Sequence, residues 1–281
     1  MKKITLKNII KILLLLVFLI LFVKAFFIEP NEIIVNRVTL RLNNWDKKHD
    51  NLKIAVISDI HAGAPFINLK KLEKIVELSN KEKPDLILMP GDFVQYDVIG
   101  GKSIQLAQLA NILAKLKSKY GIIAVLGNND WKFNGKKVAS ALEDKKITVL
   151  ENNARNLIIK GKPLWIAGVA DLMERFPDID AALSNIKEKT PVLLLSHNPD
   201  VFPFVPNRVS LTIAGHTHGG QVNLPFVGRL IVPSGFGDRY ALGHIHENNK
   251  DLYVSPGIGT SMLPVRFGVL PEIEILTLKS K

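Results

Sequence analysis

The chain has 281 residues, with 37 Lys and Arg against 26 Asp and Glu, a formal net charge of +11 and no cysteine. At 47% hydrophobic it is neither disordered nor collagen-like, and it is long enough to bury a substantial core. Without cysteine it has no disulfide scaffold, Cys nucleophile, iron–sulfur cluster or thiolate zinc site.

The first element is apolar. Residues 9–28 are interrupted only by Lys11 and Lys24, and the centre, Ile12 to Val23, is wholly apolar. Twenty residues at about 1.5 Å each are enough to cross a bilayer, and a flanking lysine can snorkel to its interface. Val23-Lys24-Ala25-Phe26-Phe27 has no small-x-small cleavage site, so the segment reads as an uncleaved anchor rather than a signal peptide. Lys2, Lys3 and Lys7 precede it and Glu29 and Glu32 follow, a bias toward an inside N-terminus and an outside body. An anchor lying in the interface would leave the body cytoplasmic, so single-pass and monotopic attachment both stand.

Strands and helices then alternate. Lys53–Ser58, Asp85–Met89 and Ile122–Leu126 are short apolar runs that predict buried strands. Between them, Leu69, Leu72, Ile75 and Val76, and then Leu106, Leu109, Ala110, Leu113 and Leu116, recur at helical spacing. Further strands are expected at Leu164–Gly168, Val192–Ser196, Leu211–Ala214, Leu252–Ser255 and Ile273–Leu278. The order predicts an α/β core in one domain, residues 51–281, after an anchor at 1–30 and a connecting segment or first strand at 31–50.

Five of these strands run directly into metal-competent side chains. The clusters are Asp59-Ile60-His61, Gly91-Asp92, Gly127-Asn128-Asn129-Asp130, His197-Asn198 and Gly215-His216-Thr217-His218. Ligands in α/β sheets bind at the carboxyl ends of strands, so the five loops are expected to converge. Oxygen and imidazole donors without thiolate suit Mn, Fe, Zn, Mg or Ni, with Mn favoured. Asp59, His61, Asp92, Asn128, His197, His216 and His218 are more donors than one ion needs. Two divalent ions sharing one carboxylate is the economical reading. Any one Gly-Asp or Asp-x-His is an ordinary turn or surface pair; five in one order are not.

This series resembles the calcineurin-like metallophosphoesterase superfamily over roughly residues 50–281. With the anchor and the tail Gly257-Ile-Gly-Thr-Ser-Met-Leu-Pro-Val-Arg-Phe-Gly268, it is similar to the membrane-associated bacterial branch, which includes hydrolases of UDP-2,3-diacylglucosamine in lipid A biosynthesis and general phosphodiesterases. The resemblance implies a four-layer α/β/β/α sandwich behind one transmembrane helix at the bacterial inner membrane. It implies Asp59, His61 and His218 on one ion, Asn128, His197 and His216 on the other, and Asp92 between them. The expected reaction is in-line attack on phosphorus by a hydroxide that both ions activate.

The chain departs from the family pattern at Asn129, where the family carries the histidine thought to protonate the leaving oxygen. An amide supplies a hydrogen bond but no proton, and general acid catalysis contributes roughly 10²–10⁴ in rate. A pyrophosphate leaves as a phosphate monoester with a second pKa of about 6 and needs little protonation. The cytoplasmic lipid A hydrolases of the superfamily also lack the histidine and carry arginine. Asn129 therefore favours a lipid-linked pyrophosphate, against a slow phosphodiesterase or a metal-binding homologue without turnover. Asp130 is expected either to hold Asn129 or to cap the following helix, and Arg266 either to steer phosphate or to make a structural salt bridge.

The apolar residues Phe202, Phe204, Val205, Phe226, Val227 and Leu230 lie in loops after His197 and His218. They either meet the bilayer and acyl chains or pack under the rim of the sheets. His244-Ile245-His246 reads as a solvated hairpin, with a third metal pair as the rival. Much of the excess charge sits around the anchor and in Lys70-Lys71 and Lys136-Lys137, which suits a membrane surface and solvated helix faces. The expected partners are the bilayer and a phosphorylated lipid or nucleotide-lipid, with no stable nucleic-acid partner.

Overall fold

The computed structural model describes residues 5–187 and 189–281. Helix α1 (Leu6–Val23) continues through a wide turn at Lys24–Ile28 and a tight one at Glu29–Asn31. No residue of α1 is buried, and the helical run Leu6–Asn31 is long and apolar enough to cross a membrane.

Among the described residues, twelve strands form two six-stranded sheets. In the first, β1 (Ile34–Leu42) lies beside β14 (Glu272–Ser280), followed by β2 (Leu52–Val56), β3 (Leu86–Met89), β4 (Ile122–Ala124) and β5 (Thr148–Val149). The pairs from β2 to β5 are parallel, as the predicted β–α–β–α–β order requires, while β14 runs antiparallel to β2 and parallel to β1. The second sheet has the order β12 (Gly243–Glu247), β13 (Lys250–Val254), β9 (Leu211–Ala214), β8 (Val192–Leu195), β7 (Lys162–Gly168) and β6 (Asn153–Ile159). A small hairpin, β10 (Asn223–Leu224) with β11 (Gly228–Arg229), stands apart.

Side-chain alternation sends successive residues of each strand to opposite faces, and the cores follow it. Ile54, Val56, Leu86, Leu88 and Leu276 meet Leu164, Ile166, Leu193, Leu195, Leu211 and Ile213 between the sheets. On the far side of the first sheet, Ala55, Ile87, Met89 and Ile273 pack on α2 (Leu69–Lys81), α3 (Leu106–Leu113) and α4 (Asn128–Glu143). On the far side of the second, Ala167, Val192 and Leu194 pack on the short α5 (Ile179–Leu183) and the 3₁₀ turn Pro199–Phe204. This is the mixed α/β arrangement expected from the sequence. The parallel strands β2, β3 and β4 of one sheet and β8 and β9 of the other end at the same edge of the stack, and their following loops meet there.

Candidate dinuclear metal site

The loops after these five strands are tied to one another by backbone bonds. Asp59 N donates to Gly91 O (3.0 Å), His61 N to Asp92 O (3.0 Å) and Gly215 N to His197 O (3.0 Å). Asp59, His61, Asp92, His216 and His218 all adopt positive φ, between 47° and 69°. Five left-handed non-glycine residues in one place are costly, and such strain persists only where the surroundings over-determine it.

The side chains converge accordingly. His61 Nε2 lies 3.1 Å from His218 Nε2, and Asp59 Oδ1 lies 3.6 Å from His218 Nε2. His197 Nε2 lies 3.1 Å from both Asn128 Oδ1 and His216 Nδ1. Between the two groups stands Asp92, whose Oδ2 is 3.4 Å from His61 Nε2 and 3.4 Å from His197 Nε2. All seven residues are buried. Asp59, His61 and His218 form one group able to hold an ion, and Asp59, Asp92 and His197 another. Imidazole and carboxylate lone pairs brought this close repel one another unless a cation or proton lies between them, so the donor set fits divalent metal.

The electrostatics agree with that donor set. Burial, with His197 beside it, lowers His216 to about 3, and burial with His61 and Arg266 lowers His218 well below its ordinary value. Both imidazoles are therefore neutral, the form that binds metal. For Asp92, burial is outweighed by His197 and His61, and the carboxyl is held well below its usual range. Burial pulls His197 down, but the charge and hydrogen bond of Asp92, with Asp59, carry it up to about 10, so the proton it holds beside these carboxylates is the one a bound cation would replace. Its Nδ1 donates to Pro90 O at 2.8 Å, which orients the ring with Nε2 inward.

Asn129 sits among these residues. Its Nδ2 donates to Asp92 Oδ2 (2.7 Å) and its backbone N to Asp92 Oδ1 (2.9 Å), while its Oδ1 is buried without a partner. Asp130 does not touch the Asn129 side chain in the bonds it makes. Its Oδ2 accepts from Gly127 N (3.0 Å), closing a box at the start of α4, and its Oδ1 accepts from Phe93 N (2.8 Å) and Val94 N (3.1 Å). Of the two roles open to Asp130, capping is the one its contacts serve. Burial, aided by Asp92, raises its carboxyl to about 8.

Arg266 is fully enclosed rather than presented to a phosphate. Its guanidinium donates to the carbonyls of Pro256 (2.8 Å), Gly257 (3.2 Å) and Gly259 (2.6 Å) and stands 3.4 Å from His218 Nδ1. It gathers the tail behind His218, which corrects its assignment as a substrate contact and equally the salt-bridge alternative. The apolar loop residues divide. Phe202 and Val205 are core, whereas Phe204, Phe226, Val227 and Leu230 are exposed. His244 and His246 both turn to Asp251 Oδ1, at 2.7 and 2.9 Å, on the hairpin β12–β13.

Sequence reasoning missed the part played by the Gly257-x-Gly259 turn. A Cβ on Gly257 would lie 2.5 Å from Asp59 Cβ, and one on Gly259 2.7 Å from His61 Cβ. The visible signal was a Gly-x-Gly directly after a strand.

A site of this kind at the meeting edge of two sheets defines a class, and comparison with known proteins places the chain in it. The profile of the calcineurin-like phosphoesterase family matches residues 52–220. A metallophosphoesterase of Bacillus subtilis, YkuE, is 33% identical over 91% of this chain and 89% of its own. The phosphodiesterase YaeI of Escherichia coli is 29% identical over 80% and 82%. A solved 5'-nucleotidase precursor from Thermus thermophilus aligns at a TM-score of 0.45 and 15% identity, over 74% of this chain and 49% of that one. The chain belongs to the calcineurin-like phosphoesterases and is a metal-dependent phosphoester hydrolase.

Proposed function

We propose that this hydrolase is membrane-anchored and cleaves the pyrophosphate of a lipid-linked nucleotide, UDP-2,3-diacylglucosamine being the type, at the bacterial inner membrane. The observation that carries the reading is Asn129. At the place where the family keeps a proton donor, the side chain is an amide whose N–H is already given to Asp92. A leaving group that needs no proton matches that site, and a phosphate monoester is one. The exposed apolar run Leu6–Asn31 supplies the anchor and brings the site to lipid.

In this reading Asp59, His61 and His218 hold one ion and Asn128, His197 and His216 the other, with Asp92 shared. Two divalent ions, Mn favoured, would lower the pKa of a water between them and neutralise charge on the phosphoryl oxygens. The chain's own contribution is positional. Asn129 holds the shared carboxylate by two hydrogen bonds, Asp130 holds the loop that carries it, and the carbonyl bonds of Arg266 hold the turn against Asp59 and His61. The helices, two sheets and further helices are read as the layers of an α/β/β/α sandwich, residues 51–281, with 31–50 contributing its first strand.

A second reading has its own support: a general phosphodiesterase on the outer face. YaeI is named a phosphodiesterase, and the lysines before the anchor favour an outside body. The two separate in one experiment. Purified protein with Mn²⁺ is assayed for UMP release from UDP-2,3-diacylglucosamine and, in parallel, for hydrolysis of an aryl phosphodiester, with Asp92→Ala as control. Asp92-dependent UMP release with the diester poor supports the pyrophosphate reading. Diester cleavage without UMP replaces it with the second. Metal binding without either reaction means that the site has lost turnover.

A further inference from the structure

Beside His218 the surface opens into an apolar cleft of about 270 Å³. One wall comes from the chain between Gly220 and Pro233, the other from the loop Ser261–Val265, and Thr217 and His218 lie at its inner end. Val222, Leu230, Ile231, Met262, Leu263 and Val265 line it, without a charged group among them. The walls are joined by a matched pair of amides: Ser261 N donates to Gln221 Oε1 at 2.6 Å, and Gln221 Nε2 donates to Ser261 O at 3.1 Å. The cleft is thus built into the fold, and it starts where one candidate metal group ends.

Its outer half is unusually bare. Leu230 is 62% exposed, Ile231 77% and Met262 67%. Ile99, whose N–H donates to Met262 O, is 65% exposed, and Phe226 at the tip of the small hairpin is fully exposed. Leu230, Ile231, Met262 and Leu263, large apolar side chains exposed on one cleft, mark a meeting with something apolar.

The anchor says what that is. Arg266 N donates to Ala25 O (3.0 Å), Gly268 N donates to Glu29 Oε2 (2.7 Å), and Lys24 Nζ lies 5.3 Å from the centre of the Phe267 ring. Residues 266–268 directly follow the 261–265 wall, and Phe267 also pairs with Val222 of the opposite wall. Lys24 ends the unbroken apolar stretch that begins at Ile12 and stands one turn from the end of the apolar segment, where a lysine can snorkel to the boundary between hydrocarbon and head groups. Both walls are therefore fastened to the anchor at the level where it leaves the bilayer.

The geometry points to this cleft as an acyl-chain site that takes one hydrocarbon chain of a phosphorylated lipid while the phosphate lies among the metal ligands. The inference rests on the lipid-substrate reading above and adds where the chain goes. The cleft's finite length limits how much of that chain it can take.

The test uses the full chain in nanodiscs containing a phosphatidic acid with a diazirine at the end of one acyl chain. Its head group is the non-hydrolysable phosphonate analogue and Mn²⁺ is present throughout, so occupancy is read without turnover and with the metal ligands loaded. After irradiation, adducts mapped by mass spectrometry are expected on residues 222–233 and 261–265, and are expected to drop at least tenfold in Leu230→Glu/Met262→Glu. Those two positions are exposed, and an unchanged melting curve verifies the fold. Adducts confined to residues 6–28, or unchanged by the double substitution, would overturn the inference.

A second arm measures inhibition, by monomeric alkyl phosphates of rising length, of whichever of the two hydrolyses above the protein performs. Affinity should gain about fourfold per methylene (~0.8 kcal/mol each) until the cleft is filled and then level off; a flat series overturns the site. Labelling in the cleft by a protein that releases no UMP sinks the nucleotide-pyrophosphate reading and upholds the cleft. UMP release with an unlabelled cleft does the reverse.

Discussion

Asn129 and Gly127 carry opposite lessons, one about what the site lacks and one about what it cannot admit. A Cβ on Gly127 would stand 2.3 Å from Asp92 Oδ1 and 2.7 Å from His197 Cε1. No real Cβ makes such contacts, so Gly127→Ala must displace the shared carboxylate or the imidazole. The expected outcome is loss of at least one of two bound ions by elemental analysis, with activity down by more than about 10²-fold, a misplacement effect of known size. Two ions and full activity in the variant would show that the loop yields instead. Asn129→His tests the leaving-group argument. The backbone N–H of residue 129 keeps its bond to Asp92 Oδ1, so the carboxylate stays held while a protonatable ring replaces the amide. Hydrolysis of an alkyl phosphodiester should rise about 10- to 100-fold, the lower part of the range for general acids. Cleavage of a nucleotide pyrophosphate should change little. An equal change for both substrates would remove Asn129 as a marker of substrate class.

At the level of elements, strand β14 contains a carboxyl that its environment opposes. Glu274 is fully buried, and neither of its oxygens makes a hydrogen bond of ordinary length. Burial raises its pKa far above the usual carboxylate value, the negative charges of Glu272 and Asp59 add to this, and the Ser255 hydroxyl opposes it only in part. The folded state therefore holds a proton that the unfolded chain releases near pH 4.3. Between that pH and the folded pKa the native form binds more protons, so this residue's contribution to stability falls as pH rises, by at most about 1.4 kcal/mol per pH unit. Glu274→Gln removes the dependence. Urea unfolding should find the variant more stable than the parent at pH 8, with the gap closing toward pH 4; a gap independent of pH would show that Glu274 does not titrate with folding. The same strand shows which elements a sequence discloses. The apolar runs of β2, β3, β4, β8 and β9 are legible because a strand buried on both faces needs nothing but apolar residues. β1 gives Asn36 and Arg37 to polar partners, Glu272 and Glu82, and so reads in the sequence only as a connecting segment or first strand. α4 is masked because its first turn, Asn128 to Asp130, is spent on the site, and because Asn134 breaks its helical backbone.

The whole molecule shows the same division. The seven donors were legible because each follows a buried strand, and the fold needs only to bring strand ends to one edge. The contacts of Arg266 and the joining of the cleft's walls were not, because they exist only when separate segments meet: the guanidinium among the carbonyls of 256–259, and the walls 220–233 and 261–265 held by Gln221. The edge where they meet is also where the molecule stores its repulsion. Asp59 and Asp92 are buried together among four imidazoles with neighbouring nitrogens 3.1 Å apart. Cations would turn that repulsion into cohesion, and a ligand bound only by the folded state stabilises it by about 2.7 kcal/mol at one hundred times its dissociation constant. For two such ions the sum is about 5 kcal/mol, and at roughly 2–4 °C per kcal/mol for a domain of this size the melting temperature should fall by on the order of 10 °C or more on chelation. Calorimetry with and without EDTA measures this directly, and re-addition of Mn²⁺ should restore the original curve. In Asp92→Ala, which lacks the shared carboxylate, the response to EDTA should shrink to less than half. An EDTA shift as large in Asp92→Ala as in the parent would mean that the stabilising metal lies elsewhere on the chain, and that the two donor groups at the sheet edge hold themselves together without it.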